Sequence, residues 1–546
     1  MAPCKGTKRT GNTIDVLAGR VLESYIHTKE RESKDPAWKN RIYTNRKKLA
    51  RHIEAFHRNS GTLTEGVKEK IGHLCDKKDC IFLMTAHQTN FLPYSGIIRK
   101  TTLMHAIKEK LKGLCGTEVI EFYGIANQDM ASSWPWLRTT QLPSVFHKNG
   151  IFELSHDQKK EFDMKIHAAV PKPERHDIGR WGAGIKEWMS VCQAAIESHG
   201  HKISPQKKKE LYRNYEDFME LMNKSNDRAR NFAEFNAISL SKIVNDHFHH
   251  DTLFSLFTDS QKIFDREFLF LLENHKAYHS CLGSASRTED CAIAPFWYHC
   301  ECLGKVGLMI TETKTSLELS GKCPSCSKIH AFRLEKDNSY SGFRKISNHI
   351  SARARPMTLV FFHGLAANMY VGGALANKCY LKDAERMAEK MDLNFPPVAV
   401  WRPRERYDGL GQLSCELIKK SECDGHTLEG AIRRLEDELS AINTEIEKLD
   451  ALIRRTTSAH ERMRLIAEKN SIRKNSNTMA ISKKISCLKK IPGTESVIPS
   501  ILDYAINIGL KKTRDGWLDH LLGCGDLKKE LALRSIIGRG NGDETQ

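Results

Sequence analysis

The chain has 546 residues, 85 Lys and Arg against 67 Asp and Glu, and a formal net charge of +18, with 40% hydrophobic residues. That length exceeds one ordinary domain, and that apolar share excludes disorder for the bulk of the chain. No apolar stretch follows the basic MAPCKGTKR start, and His363, Gly364, Gly372 and Gly373 interrupt the most membrane-like segment, 356–376. Neither a secretory leader nor a spanning helix is expected, and the sixteen cysteines should be reduced in a cytoplasmic protein.

In chain order, residues 1–78 read as a helical region, in which RKKLARHIEAFHRNSG puts Leu49, Ile53 and Phe56 on one face and stops at Gly61. A first core part follows at 79–285. Ile81–Thr85 is a short apolar run suited to a buried parallel strand, followed by a polar loop and a helix through about Leu111. A second apolar run, Val119–Ile125, repeats the scheme. Residues 205–279 read as mainly helical, with DHFHHD at 246–251 as a solvated loop lacking metal-ligand spacing.

Residues 286–340 form an insert, and 341–420 resume the core. In that second part Met357–Phe362 reads as a strand, HGLAANMYVGG as its turn, ALANKCYLKDAERMAEKM as a helix and PPVAVWRP as a further strand. Strand, polar loop, helix, strand is the pattern of an α/β doubly wound core.

In 421–492, Leu428, Ile432, Leu435, Leu439, Ile442, Ile446, Leu449 and Ile453 alternate spacings of four and three, a coiled-coil seam. A second helix begins near Glu461. Residues 427–450 carry a net −4, whereas Arg454–Lys490 carries eleven cations and two glutamates, a local +9. Opposite charges predict an antiparallel hairpin. The seam also offers a homodimer surface, and the leftover positive charge a nucleic-acid one. A helical segment, 493–546, closes the chain.

Cys300 and Cys302 form a C-x-C pair and Cys323 and Cys326 a C-x-x-C pair, with two strand-like runs between them. Such spacing lets four thiolates converge on one structural Zn²⁺ in a zinc ribbon, with His299 and His330 as spare ligands. Other chemistry gathers after the apolar runs. His87, Gln88 and Asn90 follow the first strand, where open α/β sheets bind ligands. Gly96 allows a close approach or a tight helix start, and Lys100 reaches toward an anion. Asp129 could orient a ribose, an amine or Mg²⁺. Tyr370, Gly372 and Gly373 form a turn suited to an anion or a sugar.

These stretches, from RKKLARHIEAFHR through TAHQTNFLPYSG and EFYGIANQDMASS to ARPMTLVFFHGLAANMYVGG, the hairpin and WLDHLL, resemble the cysteine-adding ligases of bacillithiol synthesis. The resemblance implies a Rossmann-like core similar to class I nucleotidyl transferases. It also implies an ATP-dependent ligase, possessing a site near His87–Gly96, Asp129 and Tyr370–Gly373, that joins an amino acid such as cysteine to a small acceptor. His87 and Asp129 would be its catalytic residues. The remaining residues named beside them would bind ATP, with Mg²⁺ as a companion ion. The chain departs from the family at Thr85-Ala86-His87-Gln88, where T-G-Q-Q is usual, and at Gln128–Ser132, where E-D-H-D-F is usual. HQTNFLPYSG also resembles the WbqC-like proteins, which implies transfer onto a sugar. An RNA-binding protein using the zinc ribbon and the basic helix is the alternative from a different class.

Overall fold

In chain order the strands are β1 (Cys80–Gln88), β2 (Glu118–Ala126), β3 (Thr139–Pro143), β4 (Ile151–Ser155), β5 (Leu253–Leu256), β6 (Ala292–His299) and β7 (Lys305–Glu312). They continue as β8 (Ser316–Lys322), β9 (Ile329–Glu335), β10 (Ile350–Ala352), β11 (Met369–Gly372), β12 (Val398–Val400), β13 (Arg404–Asp408) and β14 (Glu530–Arg534). This computed structural model describes residues 13–76, 79–132, 135–282, 292–336, 342–373, 380–402, 404–423, 425–534 and 536.

The central sheet runs β12-β11-β1-β2-β5 and is parallel throughout. Alternation along β1 explains why both faces are covered. Ile81 and Leu83 enter one core with Ile97, Leu103 and Ile107 of the Ser95–Lys112 helix. Phe82 and Met84 enter the other, with Leu49 and Ile53 of the Pro36–Ser60 helix and Phe361. A strand buried on both faces has no polar side to show, which is why β1 reads as a continuous apolar run. The result is a mixed α/β architecture compatible with a Rossmann-like core.

The Pro36–Ser60 helix has the predicted end. Asp35 caps its start by accepting from the Trp38 N–H, Pro36 occupies the first turn, and Gly61 at φ 72° closes it. The helix Thr13–Lys34 precedes it and packs beside the Ser95–Lys112 helix.

Three readings are corrected. Met357–Phe362 is not a strand but part of the helix Ala354–Leu365, and the strand is β11, placed where the sequence suggested a turn. An apolar run buried all round has no period to distinguish the two, and Pro356 falls in the first turn, where its missing N–H is not needed. The 246–251 segment is not a solvated loop throughout, because His250 is fully buried and stacks on His105 at 4.3 Å. The second helix of the C-terminal arm is two helices, Ala459–Asn475 and Thr478–Ser496, broken where Asn477 adopts φ 46°.

Both run against Leu428–Arg455. Lys469 pairs with Asp450 and Lys489 with Glu436, an order that makes the arm antiparallel. Leu435 packs with Ile481, Ile485 and Leu488, and Leu449 and Ile453 with Leu465, so much of the seam is covered within the chain.

β6–β9 of the insert, together with β10 from just beyond its expected end at 340, form a second sheet, antiparallel, in the order β10-β6-β7-β8-β9. Among the described residues no helix is long and apolar enough to cross a membrane.

Candidate functional site

β1 is flanked by β2 on one side and β11 on the other, and the chain order reverses between β1 and β11. A reversal of this kind opens a crevice at the carboxyl ends of the strands, and parallel α/β sheets bind ligands there. His87 and Gln88 are the last two residues of β1, Asp129 follows β2, and Gly372 ends β11. The three predicted segments therefore meet at one rim.

Lys100 stands at the reversal. Its side chain is 5% exposed, its Nζ donates to the Ala86 carbonyl at 3.2 Å, and it has no carboxylate in ion-pair contact among the described residues. Burial lowers its pKa to about 7. A Cβ added to Gly373 would lie 4.0 Å from that Nζ, so the amine lies against the bare glycine backbone. A buried amine without a counter-ion is costly unless an anion joins it.

Across the rim, Asp129 is held at both oxygens. Gln88 Nε2 donates to Oδ2 at 2.6 Å, and Lys305 Nζ donates to Oδ1 at 3.2 Å. Lys305 is the first residue of β7, in the second sheet, and burial lowers its pKa although Asp129 opposes that shift. A carboxylate already facing a lysine is a poor Mg²⁺ ligand, so the chemistry of this donor set does not fit that ion.

His87 lies half-buried, edge-on to the Trp136 ring, and its Nδ1 is 3.0 Å from Asn90 Oδ1. Asn90 Nδ2 donates to the Trp136 carbonyl, which fixes the amide orientation and makes His87 Nδ1 the donor. Burial and the Lys100 charge push the His87 pKa down to about 3. The ring is neutral, and its Nε2 offers a lone pair. At the rim His87 can therefore serve as a hydrogen-bond acceptor through Nε2.

Four expected ligand contacts take other roles. Asn90 is buried and occupied in fixing His87 and the 136 backbone. A Cβ on Gly96 would lie 2.7 Å from the Tyr94 ring, so this glycine makes room for that ring at the helix start. Tyr370 and Gly372 lie within β11, Tyr370 at 5% exposure with its hydroxyl bonded to the Ala86 backbone. Gly373 remains at the crevice.

The four cysteines converge. Cys300 and Cys326 sulfurs are 3.6 Å apart, as are Cys302 and Cys323, and all four Sγ atoms lie within 4.8 Å of one another. Thiolates about 2.3 Å from one tetrahedral ion sit roughly 3.8 Å apart, so the cluster fits a metal such as zinc. In each pair the residue after the second cysteine is left-handed, Leu303 at φ 65° and Ser327 at φ 62°. A Cβ on Gly304 would stand 2.5 Å from the Cys323 sulfur, so the approach requires glycine. His299 bonds Ser351 instead, whereas His330 lies near Cys300 and Glu301.

A hydrogen-bond ladder joins the cluster to the rim. Ile166 N–H donates to the Leu303 carbonyl and Lys305 N–H to the Met164 carbonyl. One step further, Ala131 N–H donates to the Lys165 carbonyl and His167 N–H to the Asp129 carbonyl. Thr89 in turn bonds His167, whose pKa burial lowers to about 4. Sequence reasoning missed Lys305, Thr89 and His167. Behind Gln88, a water-sized cavity is lined by Tyr123 and Asn236, whose Oη and Nδ2 have no partner among the described residues.

No family model matches the chain, and no curated protein matches it.

Proposed function

We propose that the chain is a cytoplasmic ATP-dependent ligase that forms an amide between the carboxyl group of an amino acid, cysteine being the first to try, and an amine on a small acceptor. The observation that carries this reading is Lys100, a buried amine with no counter-ion among the described residues, at the point where strand order reverses, beside Gly373. ATP phosphate has the charge that Lys100 lacks, and the crevice is where nucleotides bind in sheets of this kind. Bound ATP would supply the activation of the carboxyl group.

The chain's own residues then position the reactants. Asp129, steadied by Gln88 and Lys305, orients the ammonium or amine of the acceptor. His87 Nε2 accepts a hydrogen bond from it. In the same reading the cysteine cluster is a structural zinc ribbon, closed by four sulfurs with no open position, and the antiparallel arm is a coiled hairpin.

The test is isotope exchange between ATP and pyrophosphate, and between ATP and phosphate, over a panel of amino acids with zinc-loaded protein. Exchange that depends on one amino acid supports the ligase. No exchange with any amino acid, from folded and zinc-loaded protein, removes it.

A further inference from the structure

A separate cavity lies away from this rim. It has a volume of about 470 Å³ and lies beside Ala366–Ala367 and Pro396–Pro397, which precede β11 and β12. It therefore occupies the amino-terminal edge of the sheet, opposite Lys100 and Asp129. Its outer wall is the helix Thr13–Lys34, which contributes Arg20, Glu23, His27 and Arg31.

The polar groups on its walls are mostly donors. The Arg31 guanidinium lies 4.5 Å over the Trp38 ring and has no ion-pair partner among the described residues. Asp35 and Asp392 act on it only at longer range. Trp38 is 5% exposed, and its indole N–H has no partner among the described residues. Arg41 donates to His363 Nε2 at 3.1 Å, which leaves the His363 Nδ1–H as a donor. Burial, then Arg41 and Arg31, hold the His363 pKa at about 3, so this ring stays neutral beside the arginines. Glu23, exposed at the mouth, is the one carboxylate among the described lining residues. Phe362, Phe395, Pro396 and Pro397 supply flat apolar walls.

A pocket of this size, with flat apolar walls on one part and cationic and donor groups on the rest, takes a small ligand with a matching anionic end. We propose that this cavity is a second binding site, for a small organic anion whose aromatic ring packs against Trp38 and Phe395 and whose carboxylate or phosphate pairs with Arg31. It does not depend on the ligase reading, since it shares no residue with the carboxyl-end rim.

The test uses phenyl phosphate, indole-3-acetate and the neutral indole-3-acetamide with the full chain, followed by saturation-transfer NMR and calorimetry at low salt. At least one anion should bind at least tenfold more tightly than the amide, and the two anions show whether phosphate or carboxylate is preferred. Arg31→Gln should weaken that anion at least tenfold. Glu23→Gln, an exposed substitution that does not threaten the fold, should tighten it two- to threefold by removing like charge at the mouth. Equal binding of acid and amide, no binding of either anion, or affinities indifferent to both substitutions would overturn the proposal.

Discussion

Lys305 Nζ lies 3.2 Å from Asp129 Oδ1, so the first residue of β7 in the cysteine-bearing sheet completes the rim of the parallel one. The contact is supported from below. Backbone bonds run from the Cys300–Gly304 turn to residues 164–166 and on to Asp129–Ala131. The cluster and the rim are therefore one mechanical unit.

The first prediction concerns metal removal. Stripping the cysteines with a strong chelator frees Leu303 and Gly304, which anchor the ladder. Hydrogen exchange should rise in peptides covering 127–131 and 164–168 as well as 300–326, while the lower part of β1 stays protected. If only the cysteine peptides respond, the coupling is wrong.

Gly304→Ala tests the cluster itself. The added Cβ would meet the Cys323 sulfur at 2.5 Å, so the thiolates cannot converge as they do here. Bound zinc per chain should fall well below that of the natural sequence, and thermal stability should fall with it. Full zinc content in that variant would refute the packing described.

How much of this was readable from sequence depends on whether the signal is local. The cysteine spacing was legible because ligand geometry is set by turns a few residues long. β1 and β2 were legible because strands covered on both faces read as mainly apolar runs, in β2 with Glu121 as the one charged residue between Val119 and Ile125. β11 was not. Met369–Gly372 is only four residues long and ends in glycine, whereas the more apolar run before it is a helix. Lys305 was invisible for another reason. It sits 176 positions from Asp129, and nothing near CECLGK says that its lysine will be buried against a distant carboxylate.

A third prediction follows from the buried ion cluster at the middle of β2. Glu121 is fully buried, 2.7 Å from Lys70 and 3.3 Å from Lys108, and His105 also contacts it. Burial alone would raise its pKa, but Lys70, His105 and Lys108 hold it well below the usual range. A depressed carboxyl pKa contributes stability above the unfolded value of about 4.3 and loses it as pH falls through the folded value. His250, kept neutral by burial and His105, adds a loss that begins below about 6.5. Glu121→Leu should cost about 3–5 kcal/mol in urea denaturation, because two lysines lose their counter-ion. Pairing it with Lys70→Met should recover part of that loss. A single variant as stable as the parent would contradict the arrangement.

The last prediction sets stability against function at Lys100. Its folded pKa, about 7, lies below the unfolded value, so between about 7 and 10.4 the unfolded chain binds the extra proton and stability rises with pH. Below about 7 the folded chain carries a buried ammonium and the full penalty. Lys100→Met should therefore stabilise the protein at pH 6, by roughly 1–4 kcal/mol, and far less at pH 10. The same change should abolish binding of ATP or tripolyphosphate at the rim. In the natural sequence, binding of either anion at pH 8 should take up a proton, since a bound anion raises the pKa of the amine beside it. At pH 6 that uptake should vanish. Calorimetry in buffers of different ionisation enthalpy measures it directly, and anion binding with no proton uptake at pH 8 would place the anion away from Lys100.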